Sequence, residues 1–189
     1  MADGSVLTIK KGKLRGIESQ GMLCSAAEIG MADKSEGLLD LPADAPTGTP
    51  LRDYLKLSDQ VLELNITPNR GDLLSVAGVA RETSLLTGAA LTPPSIPTIT
   101  AVIPDTVAVN IRAPEACPRY AGRVIRGVNA KAVTPLWMKE KLRRQGLRSI
   151  SPLVDITNYV LIELGHPMHA FDLNQLQGGI DVRLAQVDE

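Results

Sequence analysis

Two proline-rich stretches limit what this chain can build. Pro42, Pro46 and Pro50, with Gly48, interrupt residues 37–60, and Pro93, Pro94, Pro97 and Pro104 fall within 89–105. Proline lacks an amide hydrogen and fixes its own φ, so neither stretch can form a helix interior or a central strand. The first reads as a loop-rich connector before a short helix at 51–55. The second has little charge, reads as extended chain and marks a domain boundary.

Regular structure is therefore sought between and after them. Residues 6–17, VLTIKKGKLRGI, read as strand, turn and strand with a basic edge of Lys10, Lys11, Lys13 and Arg15, and 26–29 as one helical turn. Leu62, Leu64 and Ile66 alternate with Glu63 and Asn65 in a predicted strand over 61–66. A turn at 67–71 then leads to Asp72 as N-cap of a helix over 73–87, which buries Leu73, Val76, Ala77 and Ala80 and stops at Gly88. Asn69 and Arg70 read as turn residues that satisfy backbone carbonyls.

After the second proline stretch, 106–112 and 119–128 read as strands. Arg119 and Arg123 share one face of the second, and Arg126 takes the other. A basic face toward RNA and a plain solvent face both fit that pattern. Thr134 is the expected N-cap of a helix with Pro135 at its first position, the stripe Leu136, Met138 and Leu142, and Gly146 at its end. Its late cations, Lys139, Lys141, Arg143 and Arg144, complement the helix dipole by about 0.3 kcal/mol or more each, which explains them without RNA.

The most chemically loaded stretch is 151–172, SPLVDITNYVLIELGHPMHAFD. Leu153, Val154, Val160, Leu161 and Leu164 recur at helical spacing, Pro152 suits a first turn, and Gly165 with Pro167 ends the helix. Thr157 and Asn158 interrupt the apolar pattern. Both histidines of the chain, His166 and His169, follow the helix, and a strand-like piece at 168–171 is expected to return His169 beside it. Spacing alone admits a purely structural use of these groups, with Thr157 bonding back to the Leu153 carbonyl and His169 a satisfied, partly buried ring.

Composition excludes several classes. Of 189 residues, 44% are hydrophobic and 22% charged, enough for a folded core, while a net charge of −1 gives no bulk attraction to nucleic acid. Aromatic residues make up only 3%, too few for a platform that stacks single strands. Cys24 and Cys117 stand in no disulfide or zinc spacing, and His166 with His169 lacks the partners a metal hydrolase needs. No stretch has the length of a membrane span, and a cytoplasmic location is expected.

The run VDITNYVLIELGHPMHAFD, from Val154 to Asp172, resembles a run in the editing domain of the beta subunits of bacterial phenylalanyl-tRNA synthetases. PLWMKEKLRRQGLRSI, from Pro135, and LELNITPNRGDLLSVAGVARE, from Leu62, are similar to further runs of that family in the same order. KLRGIESQGMLCSAAEIG resembles the end of its tRNA-binding barrel. The resemblance implies an α+β chain: the end of that barrel at 1–30, a small αβ assembly domain at 31–90, a proline-rich linker at 91–105 and the truncated N-terminal part of an editing domain at 106–189.

What the resemblance implies about function follows the family. The complete enzyme charges tRNA(Phe) with phenylalanine using ATP and Mg2+, with the aminoacylation site on an alpha subunit in a heterotetramer of two alpha and two beta chains. The editing residues map to Thr157, Asn158 and His169, which line a cleft and orient the aminoacyl ester or the attacking water. In the barrel-like end, Lys11, Lys13 and Arg15 are the candidate tRNA contacts, with a plain solvated edge as the other reading, and no cofactor or metal site is expected within this chain. His166 stands where the family more often has glutamine. The editing pocket also needs a glutamate and a wall of small residues downstream of 189, so the chain by itself is expected not to edit. The alternative is a non-catalytic tRNA-binding or assembly module.

Overall fold

The computed structural model describes residues 8–189, and the expected strand residues Val6 and Leu7 lie outside them. The chain divides into two compact units, residues 1–60 and 61–189. The architecture is α+β with small sheets.

In the first unit, β1 (Gly12–Leu14) and β2 (Ile17–Ser19) pair antiparallel, with Gly12 opposite Ser19 and Leu14 opposite Ile17. Arg15 and Gly16 form the two-residue turn, both at positive φ (49° and 86°), which is the backbone hand that matches the twist of a hairpin. The expected helical turn at 26–29 is present as a turn closed by Met31 N–H donating to the Ala26 carbonyl at 2.8 Å. Helix α1 (Leu51–Tyr54) starts directly after Pro50, whose φ of −56° suits a helix entry. Among the described residues of this unit, Met31 and Leu55 are the buried apolar ones.

In the second unit the predicted strand at 61–66 does not form, and Val61, Leu62 and Leu64 are exposed. An alternating pattern needs a neighbouring strand to receive its hydrogen bonds, and none pairs with it among the described residues. The predicted helix over 73–87 breaks in two. A 3₁₀ turn, Gly71–Leu73, precedes α2 (Val76–Thr87), and Ser75 rather than Asp72 is the N-cap. Ser75 adopts an extended backbone and its Oγ accepts the Gly78 N–H at 2.9 Å. Of the residues expected to be buried, Val76 is exposed and Leu73, Ala77 and Ala80 are half-buried, while Gly78 is the buried residue of α2. Gly88 ends α2 at φ 71°, as the sequence indicates.

Of the predicted strands 106–112 and 119–128, only β3 (Val109–Ile111) forms. It pairs in parallel with β4 (Ile180–Val182), Val109 facing Ile180. Residues 119–128 stay irregular, with no partner strand among the described residues; within them Arg123 donates to the Ile99 carbonyl at 2.9 Å, and Arg126 pairs with Asp105. Across the parallel pair Asp181 accepts from Asn110 at 3.0 Å and from Arg112 at 2.6 Å.

Helices α3 (Leu136–Arg144) and α4 (Pro152–Leu164) lie in the connection between β3 and β4 and pack on each other, and α4 also packs on α2. Helix α3 buries Met138 and Leu142, two of its predicted stripe, while Leu136 is half-buried. Its cap is Pro135, not Thr134. The predicted limits of α4 hold: Pro152 occupies its first turn, and Gly165 at φ 74° closes it by donating to the Leu161 carbonyl at 2.8 Å.

Candidate functional site

Helix α4 carries the candidate chemistry, and a buried polar knot holds its first turn. Asp155 is 0% exposed although the apolar Leu153, Val154, Ile156 and Leu161 around it are each more than a third exposed. Its Oδ2 accepts from Thr134 Oγ1 at 2.5 Å and from Ser149 Oγ at 2.6 Å, and its Oδ1 accepts from the Ile150 N–H at 2.9 Å. Burial pushes the carboxyl up, but the hydroxyls of Ser149 and Thr134, the Ile150 amide and the charge of Lys139 together outweigh it, so Asp155 is held below the usual carboxylate range. Thr134, expected to cap α3, lies one residue before the Pro135 cap, and its hydroxyl donates here instead.

A second knot lies on α3. Glu140, 5% exposed, accepts from Arg143 Nε and NH2, both at 3.0 Å, with Arg144 3.8 Å away. The cations that the sequence assigns to the helix dipole therefore also compensate an internal carboxylate. Glu140 in turn raises the pKa of Arg143 further. Beside them, the rings of Trp137 and Tyr159 meet edge to face at 5.4 Å, and Lys141 Nζ stands 5.5 Å from the Tyr159 ring centre.

Thr157 and Asn158 occupy the second turn of α4, both half-buried. Thr157 Oγ1 donates to the Val154 carbonyl at 2.9 Å, three residues back rather than the expected four to Leu153. His166 and His169 follow the helix, and both are exposed, His169 with its ring 6.1 Å from that of Phe171. The expected strand at 168–171 is absent. Asp172 instead caps the 3₁₀ turn Leu173–Gln175 by accepting the Asn174 N–H at 3.0 Å. A short strand needs a sheet edge, and β4 begins only at Ile180.

The hairpin cations are solvent-facing: Lys11 pairs with Glu18 at 2.9 Å, Lys13 is exposed on β1, and Arg15 sits in the turn. Arg70 satisfies carboxylates, not the carbonyls expected of it. Its guanidinium donates to Asp72 at 3.0 Å and to Glu82 at 2.7 Å, and hydrogen bonds from it lower both carboxyl pKa values while they raise its own. Among the described residues no group of three or more His, Cys, Asp or Glu is arranged to hold a metal, and no helix is long and apolar enough to cross a membrane.

Asp155 is the feature that sequence reading passed over. An acidic residue inside an apolar helical pattern, with Thr134 and Ser149 upstream, is the signal that was available. Its three donors belong to chain 5 to 21 residues away, which no local pattern reports.

Comparison with known proteins matches two parts of the chain. A putative tRNA-binding domain matches residues 5–50, and a B3/4 domain matches 116–189, the stretch that contains α3, α4 and β4. The phenylalanine–tRNA ligase beta subunits of Pectobacterium atrosepticum and Dickeya dadantii are each 58% identical over 181 residues, 96% of this chain and 23% of theirs. That of Dechloromonas aromatica is 57% identical over 182 residues, with the same shares. The chain thus spans a little under a quarter of the length of these relatives. Over nearly its whole length the chain is thus similar to part of the phenylalanine–tRNA ligase beta subunits.

Proposed function

We propose that this chain serves as the part of a phenylalanine–tRNA ligase beta subunit that contributes to tRNA binding, subunit assembly and hydrolytic editing of mischarged tyrosyl-tRNA. The observation that carries the reading is α4: a helix ended by Pro152 and Gly165, presenting Thr157 and Asn158 and followed by His169, inside the stretch matched by the B3/4 domain. The resemblance of this run to the family's editing domain supports placing these three residues in the cleft.

The chemistry has a physical rationale. A pocket shaped for phenylalanine is apolar, and such a pocket rejects an added hydroxyl by only about a hundredfold. A second site that hydrogen-bonds the hydroxyl selects the error and hydrolyses its ester. In this reading Thr157 and Asn158 orient the ester or the water, and His169 positions the attacking water near the substrate end. Ester hydrolysis asks for no cofactor here, while ATP and Mg2+ serve the charging reaction of the complete enzyme on the alpha subunit. The partners are tRNA(Phe) and that alpha subunit, in the cytoplasm. The modules at 1–30, 31–90, 91–105 and 106–189 are proposed with it, and Lys11, Lys13 and Arg15 are the proposed tRNA contacts of the first.

The test is deacylation of tyrosyl-tRNA by the 189-residue chain, beside a hybrid in which it replaces the matching segment of the Pectobacterium atrosepticum beta subunit, assembled with its alpha subunit. Hydrolysis by the hybrid alone supports an editing role that needs the longer chain. If neither hydrolyses while both bind tRNA, the segment is a binding or assembly module.

A further inference from the structure

Helix α4 has an unusual anchor. None of its apolar side chains is fully enclosed: Leu153, Val154, Ile156 and Leu161 are between 36% and 45% exposed and Val160, Ile162 and Leu164 are half-buried, while Asp155 is its one buried residue. Besides its packing on α2 and α3, two specific contacts orient it: the edge-to-face meeting of Tyr159 with Trp137, and the carboxylate of Asp155. Both oxygens of that carboxylate are engaged, from three residues in two places. Thr134 precedes α3, while Ser149 and Ile150 lie in the link between α3 and α4. The carboxylate can neither turn nor slide without losing a bond inside a site closed to water.

We propose that Asp155 is a positioning residue for the editing reaction: its buried hydrogen bonds to Thr134, Ser149 and Ile150 set the rotation and axial placement of α4, and thereby where Thr157 and Asn158 stand. The inference rests on the function proposed above. Side-chain tips lie about 5–6 Å from a helix axis, so a rotation of about 10° moves them by about 1 Å. A misplacement of about 1 Å costs on the order of a hundredfold in rate. Thr157 and Asn158 are two and three residues beyond Asp155 on the same rigid helix, so they inherit any such rotation directly. The charged group facing the carboxylate from the neighbouring helix is Lys139.

The test uses the hybrid beta subunit assembled with its alpha subunit. Asp155→Asn keeps the shape but replaces one oxygen with an amide, which cannot accept from the donors that now face it. The expected result is a fall of about 10- to 100-fold in kcat for tyrosyl-ester hydrolysis, with KM within about threefold and phenylalanine charging unchanged. Added to Asp155→Asn, Thr157→Ala should cost less than about twofold more, because both changes disable one placement. A merely structural Asp155 would leave kcat within about twofold of wild type once the variant is folded, or its loss would multiply with that of Thr157→Ala, and either result overturns the proposal. Should Asp155→Asn fail to fold, Ser149→Ala removes one donor and keeps the charge, and the same two criteria apply. If Thr157→Ala and Asn158→Ala both leave hydrolysis at the wild-type rate, the editing assignment of α4 itself fails, a result distinct from normal hydrolysis by Asp155→Asn alone.

Discussion

Gly78→Ala reverses the sign that helix propensity predicts. Gly78 lies in the first turn of α2, and replacing a helical glycine by alanine ordinarily stabilises by about 0.5–1 kcal/mol. Here an added Cβ would stand 2.0 Å from the Asp72 carbonyl oxygen and 3.0 Å from both the Asp72 carbonyl carbon and Leu73 Cα. A carbon rests no closer than about 3.3 Å from a carbonyl oxygen, so the gap must open by about 1.3 Å. The obstacle is backbone, pinned by the 3₁₀ turn Gly71–Leu73 and by Arg70 gripping the Asp72 side chain. Forcing such a contact costs about 1–3 kcal/mol, and more where nothing flexible can yield. The net expectation is destabilisation of about 1–2 kcal/mol, or about 2–8 °C in melting temperature for a chain of this size. Thermal unfolding followed by circular dichroism reads it directly. Gly122→Ala, where nothing lies within 4 Å of the new Cβ, is the control and should fall within about 0.5 kcal/mol of wild type. A Gly78→Ala protein that melts at or above wild type refutes the close packing of α2 on the preceding turn.

Other outcomes follow from the same contacts. Gly165→Ala must place a side chain at φ 74° and 3.0 Å from Ser75 Oγ, so it should destabilise by at least about 1–2 kcal/mol in the same melting experiment. Thr134→Val removes a donor from Asp155 and leaves a buried carboxylate with two, for an expected loss of about 1–3 kcal/mol in denaturant unfolding. Because the folded Asp155 carboxyl is held below its unfolded value, its contribution is complete above about pH 4–5 and is lost as pH falls through the folded pKa. Stability measured from pH 6 downward should therefore fall less steeply in Asp155→Asn than in wild type, and parallel curves would contradict the ionised buried carboxylate.

How much of this was readable depended on whether a signal was local. Helix α4 announces itself because its start and stop, Pro152 and Gly165, are properties of single residues, and Gly88 marks the end of α2 in the same way. The start of α2 was misread because Asp72 and Ser75 are both good caps, and the choice was made by Arg70, which claims the Asp72 carboxylate. The strands at 61–66 and 119–128 had the pattern but no partner strand, and pairing is a tertiary fact. For the proposed site, Thr157, Asn158 and His169 are singled out by resemblance, whereas Asp155 is not. A buried carboxylate is defined by donors remote in sequence, and the apolar positions beside it that should have been buried are partly open.

The most direct test of the editing role is the rate of tyrosyl-tRNA hydrolysis by the hybrid beta subunit in its assembled enzyme, with and without His169→Ala. The editing role predicts hydrolysis by the parent hybrid and a loss of about 10-fold or more in the variant, with phenylalanine charging intact. Equal rates for the two would contradict the placement of His169 in the reaction, and with it the reading of this segment as the hydrolytic half of the cleft.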